Sequence, residues 1–269
     1  MPAMVAISKS NRRVRELRKL LRNSRYRDET KTFVIEGQSL LEEAASTGNA
    51  PIDVFVEENE SSFEAEIERR NFKLTKVWHL DAGTLKFIAS TQNPQPILAT
   101  MPMMDLEFHE VIGASPRFLV VGVEISDPGN AGTIIRTAAA AGADGVVFSK
   151  DSVDIFNPKV VRASAGSIFR IPVVRSVEMK EFFQNCNRNG IATLGLCGKG
   201  EFQYDTYDLD QRVALLVGNE SRGLKSQVRG QLTAEISIPM EAGVESLNAA
   251  SALSIVSFEL RRQRASNDD

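Results

Sequence analysis

The second half of this 269-residue chain carries three polar loops, each directly after a short apolar run. The first, SDPGNAGTIIR over 126–136, follows the run at 118–125; Gly129 and Gly132 permit a tight turn and close approach of backbone to a ligand. Arg136 sits in the helix that follows. The second, LLVGNESRGL over 215–224, leads from an apolar strand into Gly218, Asn219 and Glu220, with Gly223 shortly after. The third lies within 236–253, where a strand ends at Pro239 and the chain passes Ser246 and Asn248 into a helix. Together they offer a guanidinium, a carboxylate, two amides and a hydroxyl, groups that orient and hydrogen-bond a ligand. Only His79 and His109 are present, both in the first half, so a site built from the second half works without imidazole. Each loop taken alone also has an ordinary reading, with Arg136 a surface cation, Glu220 a helix cap, and Ser246 and Asn248 caps of the last helix. A dinucleotide-binding fingerprint is excluded, because only the Gly129/Gly132 pair stands where GxGxxG is needed.

In open parallel α/β sheets ligands bind beyond the carboxyl ends of the strands, which is why these loops matter. Continuous apolar runs predict strands at 118–125, 145–148, 171–174, 191–196, 213–217 and 236–238. Helical patterns alternate with them at 133–141, 176–189 and 247–262, and Pro158 opens a further helix. This alternation predicts an α/β fold with a mostly parallel sheet covered on both faces. The first half alternates similarly on a smaller scale. Strands are expected at 33–35, 52–56 and 77–80, and helices at 11–23, 39–45 and 63–70. The stretch 91–116, rich in Pro, Met and Gln, is read as a less regular strand and an interdomain linker. The expected division is a first domain at 1–105, a linker at 106–117 and a second domain at 118–269.

The net charge of −3 conceals an asymmetry. Residues 1–32 hold ten Lys/Arg against three acidic residues, a net +7, which leaves −10 for the remainder. A basic arm of this kind suggests a polyanionic partner. Cys186 and Cys197 form no CxxC pair, which argues against a disulfide framework or a Cys-rich zinc site and for a reducing cytoplasm. No apolar stretch approaches the roughly 20 residues of a transmembrane helix, and the start lacks the pattern of a secretory signal.

Taken in order, the three loops resemble the SpoU (TrmH) family of RNA ribose 2′-O-methyltransferases within the SPOUT superfamily. The resemblance rests on Asn130, Gly132 and Arg136, on Gly218, Asn219, Glu220 and Gly223, and on Pro239, Glu245, Ser246, Leu247 and Asn248. The stretch NPKVVRASAGSIFRIPVV at 157–174 is also similar to that family. So is the opening, SNRRVRELRKLL followed by FVIEGQSLLEEA, which resembles an L30e-like substrate-binding domain. The likeness covers nearly the whole chain and is weakest over 57–115. Ala249 stands where many relatives have Val.

What the resemblance implies is a trefoil-knotted catalytic domain, a homodimer and S-adenosylmethionine (AdoMet) as cofactor. The cofactor would be held around Leu196, Cys197, Gly198, Gly218, Ile238, Met240 and Leu247. It assigns catalytic roles to Arg136, Asn130, Glu220, Ser246 and Asn248. A guanidinium orients a hydroxyl or phosphate without losing a proton, so Arg136 is assigned as activator of the 2′-hydroxyl. Asn130 and Asn248 would hold the nucleotide or Arg136, Glu220 would fix a guanidinium or shape the pocket, and Ser246 would bond the substrate. No metal is called for. The basic arm, with Arg12, Arg13, Arg15, Arg18, Lys19 and Arg22, would neutralise RNA phosphates. The L30e-like domain favours ribosomal over transfer RNA as substrate, by analogy of fold. A non-enzymatic, ribosome-associated RNA-binding protein is the alternative of another class.

Overall fold

The computed structural model describes residues 6–57, 72, 74–89, 95–242, 244 and 246–267. The helix expected at 63–70 lies outside the described residues, as does Glu245. The chain divides into two compact units. The first ends at Met103 and also takes in Phe156–Arg162, and the second comprises Met104–Ile155 and the chain from Ala163 onward.

In the first unit, strands β1 (Thr32–Glu36), β2 (Asp53–Glu57), β3 (Lys76–Leu80) and β4 (Ile97–Pro102) form a sheet in the order β1-β4-β2-β3. β4 pairs antiparallel with both β1 and β2, and β2 pairs parallel with β3. The irregular strand expected after Thr91 is therefore a regular inner strand that ends at Pro102, a residue with no N–H to donate to the ladder. The helix Arg12–Arg22 starts at Asn11, whose side chain accepts from the Arg13 amide at 2.9 Å. Its apolar stripe, Val14, Leu17, Leu20 and Leu21, is buried against Val34, Phe55 and Leu98 of the sheet. Burying each such side chain contributes about 1.5–3 kcal/mol. Arg27, counted by sequence with the basic arm, is buried and donates to the Leu20 carbonyl. Phe156 stacks its ring on Phe33, with centroids 4.8 Å apart.

The second unit is built on seven strands: β5 (Phe118–Gly122), β6 (Gly145–Ser149), β7 (Val173–Val177), β8 (Ala192–Leu196), β9 (Phe202–Gln203), β10 (Val213–Val217) and β11 (Ala234–Ser237). Their order is β7-β6-β5-β10-β8-β11-β9 and every pairing is parallel, as the buried apolar runs predict. Residues 106–117 contain a helix, Phe108–Gly113, closed by a Glu107/Glu110 capping box. Its Phe108, Val111 and Ile112 pack into the core of this unit with Leu119, Val147 and Phe182.

One boundary bears directly on the loops. The helix expected from Thr133 begins five residues earlier, at Pro128, and runs to Ala141. Asp127 is its N-cap, accepting from the Asn130 amide at 2.8 Å, and Pro128 occupies the first turn, where a missing N–H costs nothing. Asn130 and Gly132 are thus helical, and Arg136 stands two turns inside the helix. The last helix runs from Ala249 to Asn267. Asn248 accepts from the amides of Ala250 (3.0 Å) and Ser251 (3.2 Å), the capping role that sequence alone left open.

Candidate functional site

Because β5 and β10 are neighbours in register, with Val217 opposite Gly122, the loops that leave their carboxyl ends emerge side by side. Their meeting point is Glu220. Its Oε2 accepts from the Ser126 hydroxyl (2.8 Å), the Ser126 amide (3.3 Å) and the Asn219 side chain (3.4 Å). Oε1 accepts from the Asp127 amide (3.0 Å) and the Asn130 side chain (3.1 Å). Burial pushes the Glu220 carboxyl up, but hydrogen bonds to its charged form, from its own loop backbone, Asn130, Asp127 and Ser126, outweigh that and bring it down to about 2. Glu220 is an anion across the physiological range, held by amides and a hydroxyl rather than by a guanidinium.

The network extends in both directions. Asn130 Oδ1 accepts from Asn248 Nδ2 at 3.0 Å, tying the first loop to the cap of the last helix. Asn219 is buried; it donates to the Glu124 carbonyl at 2.9 Å and accepts from the amides of Ser221 and Arg222. This closes the turn that Gly223 completes at φ +63°, with the Gly223 amide 2.8 Å from the Asn219 carbonyl. A Cβ on Gly218 would overlap the backbone of Gly223 and Leu224, so the turn requires glycine there.

Beside this network lies a cleft of about 810 Å³, open mouth included, at the carboxyl ends of β10, β8 and β11. Every residue expected to hold a cofactor lines it: Leu196, Cys197, Gly198, Gly218, Ile238, Met240 and Leu247. Asn219, Glu220 and Ser246 complete its polar side. Burial pushes the Cys197 thiol up, so it forms part of the wall as a neutral thiol. Apolar walls, backbone polar groups and one already satisfied carboxylate suit a neutral heterocycle with a polar sugar. Among the described residues no lysine or arginine lines the cleft to take a phosphate.

Arg136 is not brought to this cleft. It is exposed on the helix Pro128–Ala141, lines no part of the cleft, and has no hydrogen-bond or ion-pair partner among the described residues. Ser126 and Asp127, two of the groups that hold Glu220, are not among the site residues expected from sequence. The Asp-Pro pair at a helix start is the signal that could have found Asp127.

The expected RNA-binding residues all lie on the helix Arg12–Arg22 of the first unit, where the structure separates them. Arg12 pairs with Glu16 at 2.8 Å, and Arg13 reaches Asp53 at 3.3 Å. Arg18 lies over Phe87 and Lys19 over Tyr26, while Arg15 and Arg22 are exposed.

Residues 117–258 match the model of the SpoU rRNA Methylase family. The chain belongs to that family. Residues 11–99 match the MRM3-like substrate binding domain, a separate module that covers the basic helix and all four strands of the first unit except the end of β4. The chain is 30% identical to the 23S rRNA (guanosine(2553)-2′-O)-methyltransferase RlmP of Bacillus subtilis, over 94% of this chain and 98% of that protein. Among solved structures it resembles the SpoU methyltransferase AviRb of Streptomyces viridochromogenes in complex with AdoMet (TM-score 0.86, 28% identity, 95% of this chain and 99% of the other). It also resembles an AdoMet-bound rRNA methyltransferase of Sinorhizobium meliloti (TM-score 0.85, 29% identity, 96% and 97%). The α/β fold with a parallel sheet and the AdoMet dependence of the family agree with the reading made from the three loops. Among the described residues no helix is long and apolar enough to cross a membrane.

Proposed function

We propose that this protein is an AdoMet-dependent methyltransferase of RNA ribose 2′-hydroxyls, that its substrate is 23S ribosomal RNA, and that it works as a cytoplasmic homodimer. The observation that carries the reading is the coincidence of the cleft at the ends of β10, β8 and β11 with the residues the family motifs assign to the cofactor. The apolar wall of Leu196, Ile236, Ile238 and Leu247 fits an adenine ring, with Gly218 beside it in the cleft lining. The bound cofactor supplies an electrophilic methyl group on a sulfonium. The chain's own groups position the hydroxyl, which for well-aligned reactants lowers a barrier by roughly 7–11 kcal/mol, and the hydroxyl proton leaves to solvent water as the methyl group transfers.

In this reading Glu220 acts as the fixed anchor. It locks Ser126, Asp127 and Asn130 together, and Asn130 in turn holds Asn248, so the loops around the cleft keep one arrangement. Ser246, at the cleft wall, bonds the incoming ribose. Arg136 orients the 2′-hydroxyl and its neighbouring phosphate with its N–H fork. Its exposed place outside its own cleft supports a dimeric centre in which it serves the partner's cleft. The last helix presents Ile255 and Phe258, 38% and 48% exposed and three residues apart, as an apolar stripe for the second copy. The knot belongs to the same reading. One close long-range backbone approach supports it: a Cβ on Gly200 would stand 2.7–2.8 Å from the backbone of Glu235, Ile236 and Ser237.

The test is a map of ribose methylation. A strain lacking the gene loses one 2′-O-methyl group in 23S ribosomal RNA, and the purified protein with AdoMet restores it. If ribosomal RNA keeps every such group while a transfer RNA loses one, the substrate assignment falls; if neither RNA changes, the activity falls.

A further inference from the structure

The helix Arg12–Arg22 carries its cations on two flanks that differ in what faces them. On one flank the charges are answered. Arg12 bonds Glu16, and Arg13 bonds the buried Asp53 while lying over the Trp78 ring at 5.1 Å. Asp53 is held in place by the Trp78 indole N–H at 2.7 Å. On the other flank Arg15, Arg18 and Arg22 recur at i, i+3 and i+7, which sets them along one edge of the helix. None of the three has a carboxylate partner among the described residues. Arg18 lies with its guanidinium 4.3 Å from the centroid of Phe87, and the Lys9 ammonium stands 5.6 Å from the same ring. Phe87 is 38% exposed, the exposed Lys86 is next to it, and Arg18 Nε is buried with no partner.

A part-exposed aromatic ring with an ammonium and a guanidinium against it, beside an edge of guanidiniums without carboxylate partners, has the chemistry of a single-stranded nucleic acid site. The ring stacks a base, its flanking cations strengthen that stack, and the guanidiniums meet the phosphates on either side. A duplex offers no free base face, so the ring would add nothing to its binding. We infer that Phe87, with Lys9, Arg15, Arg18 and Arg22, forms the RNA-gripping edge of the first unit and takes an unpaired nucleotide, its base stacked on Phe87 and its phosphates on Arg15 and Arg22. Arg12 and Arg13 are answered instead by carboxylates of the chain itself, Glu16 and Asp53. This inference rests on the reading of the protein as an RNA methyltransferase and deepens it by naming where and in what form the RNA is held.

The experiment measures binding of a labelled single-stranded oligoadenylate and of a self-complementary RNA duplex to the full chain, across a salt series. Phe87→Leu, which keeps the apolar volume, lowers affinity for the single strand about 5- to 100-fold with an unchanged salt slope, and Phe87→Trp restores it. Arg15→Gln combined with Arg22→Gln flattens the log–log salt slope by roughly 1.4, about 0.7 for each lost phosphate contact. Arg12→Gln leaves the slope as it was. Wild-type affinity in Phe87→Leu, equal losses on strand and duplex, or a slope flattened as much by Arg12→Gln would each overturn the inference. AdoMet binding by calorimetry is measured on the same proteins. Its absence from the wild type would count against the methyltransferase reading and leave the RNA result to be judged separately, and its retention in each variant shows that the second unit is intact.

Discussion

Two groups of charge in this molecule do opposite things with the same chemistry. On the helix Arg12–Arg22 of the first unit, guanidiniums end long flexible side chains, several of them exposed and unanswered, so any anion they hold exchanges with salt and water. In the second unit a single carboxylate, Glu220, is gripped by Ser126, Asp127, Asn130 and Asn219, and hydrogen bonds alone bring it to about 2. The first arrangement suits a surface that must bind and release a large polyanion. The second suits a site whose geometry must not change between turnovers, because each donor is fixed by a strand end or a helix start.

The largest effect that would sharpen this contrast is at Arg136. Arg136→Ala should lower kcat by roughly 10²- to 10³-fold, the usual scale for losing one well-placed charge-stabilising donor, with AdoMet affinity by calorimetry unchanged. Loss of AdoMet binding in that variant would place Arg136 in the cleft and break the proposed division of roles. Gly218→Ala comes next. Its Cβ overlaps the Gly223 and Leu224 backbone, so the loop must shift. A stability loss of about 1–3 kcal/mol in denaturant unfolding should accompany at least a roughly tenfold weaker AdoMet complex.

Glu220→Gln probes the network more gently. It should cost about 1.5–3 kcal/mol of unfolding free energy, the scale of hydrogen bonds to a charged group. The sign of its pH dependence follows from a folded-state value of about 2 against 4.5 for the free side chain. The wild type's advantage over Glu220→Gln should be full above pH 4.5 and fade as pH falls towards 2, read from urea midpoints. A difference that instead disappeared near pH 7 would mean the carboxylate is not held as the geometry has it. The smallest effect belongs to the exposed pair on the basic helix: breaking Arg12–Glu16 by Arg12→Gln should leave the melting temperature unchanged, since such pairs contribute little.

Much of the second unit was legible from pattern. The strand Val213–Val217 matches its apolar run to the residue, since a strand buried on both faces has no alternation to blur its ends. The helix Phe108–Gly113 was passed over inside a Pro- and Met-rich stretch, although Phe108, Val111 and Ile112 stand at helical spacing; six residues are too few for a periodic signal to outweigh composition. The helix start at Pro128 was missed because the glycines of the loop suggested a turn, whereas the Asp127 cap holds the first turn in spite of them.

By itself the sequence determined most of the long buried strands, which three loops carry the polar groups, and that one end of the chain is basic, because periodicity, composition and motif spacing are local properties. Only the tertiary structure decided what those groups face. Glu220 meets Ser126, 94 positions away, and Asn130, 90 positions away, because β5 and β10 are neighbours in the sheet. Asp53, at the start of β2, answers Arg13, while no described carboxylate answers Arg15. Strand order and helix orientation are set by how apolar faces are buried along the whole chain, and it is they that distinguish a cation that supports the fold from one free to hold RNA.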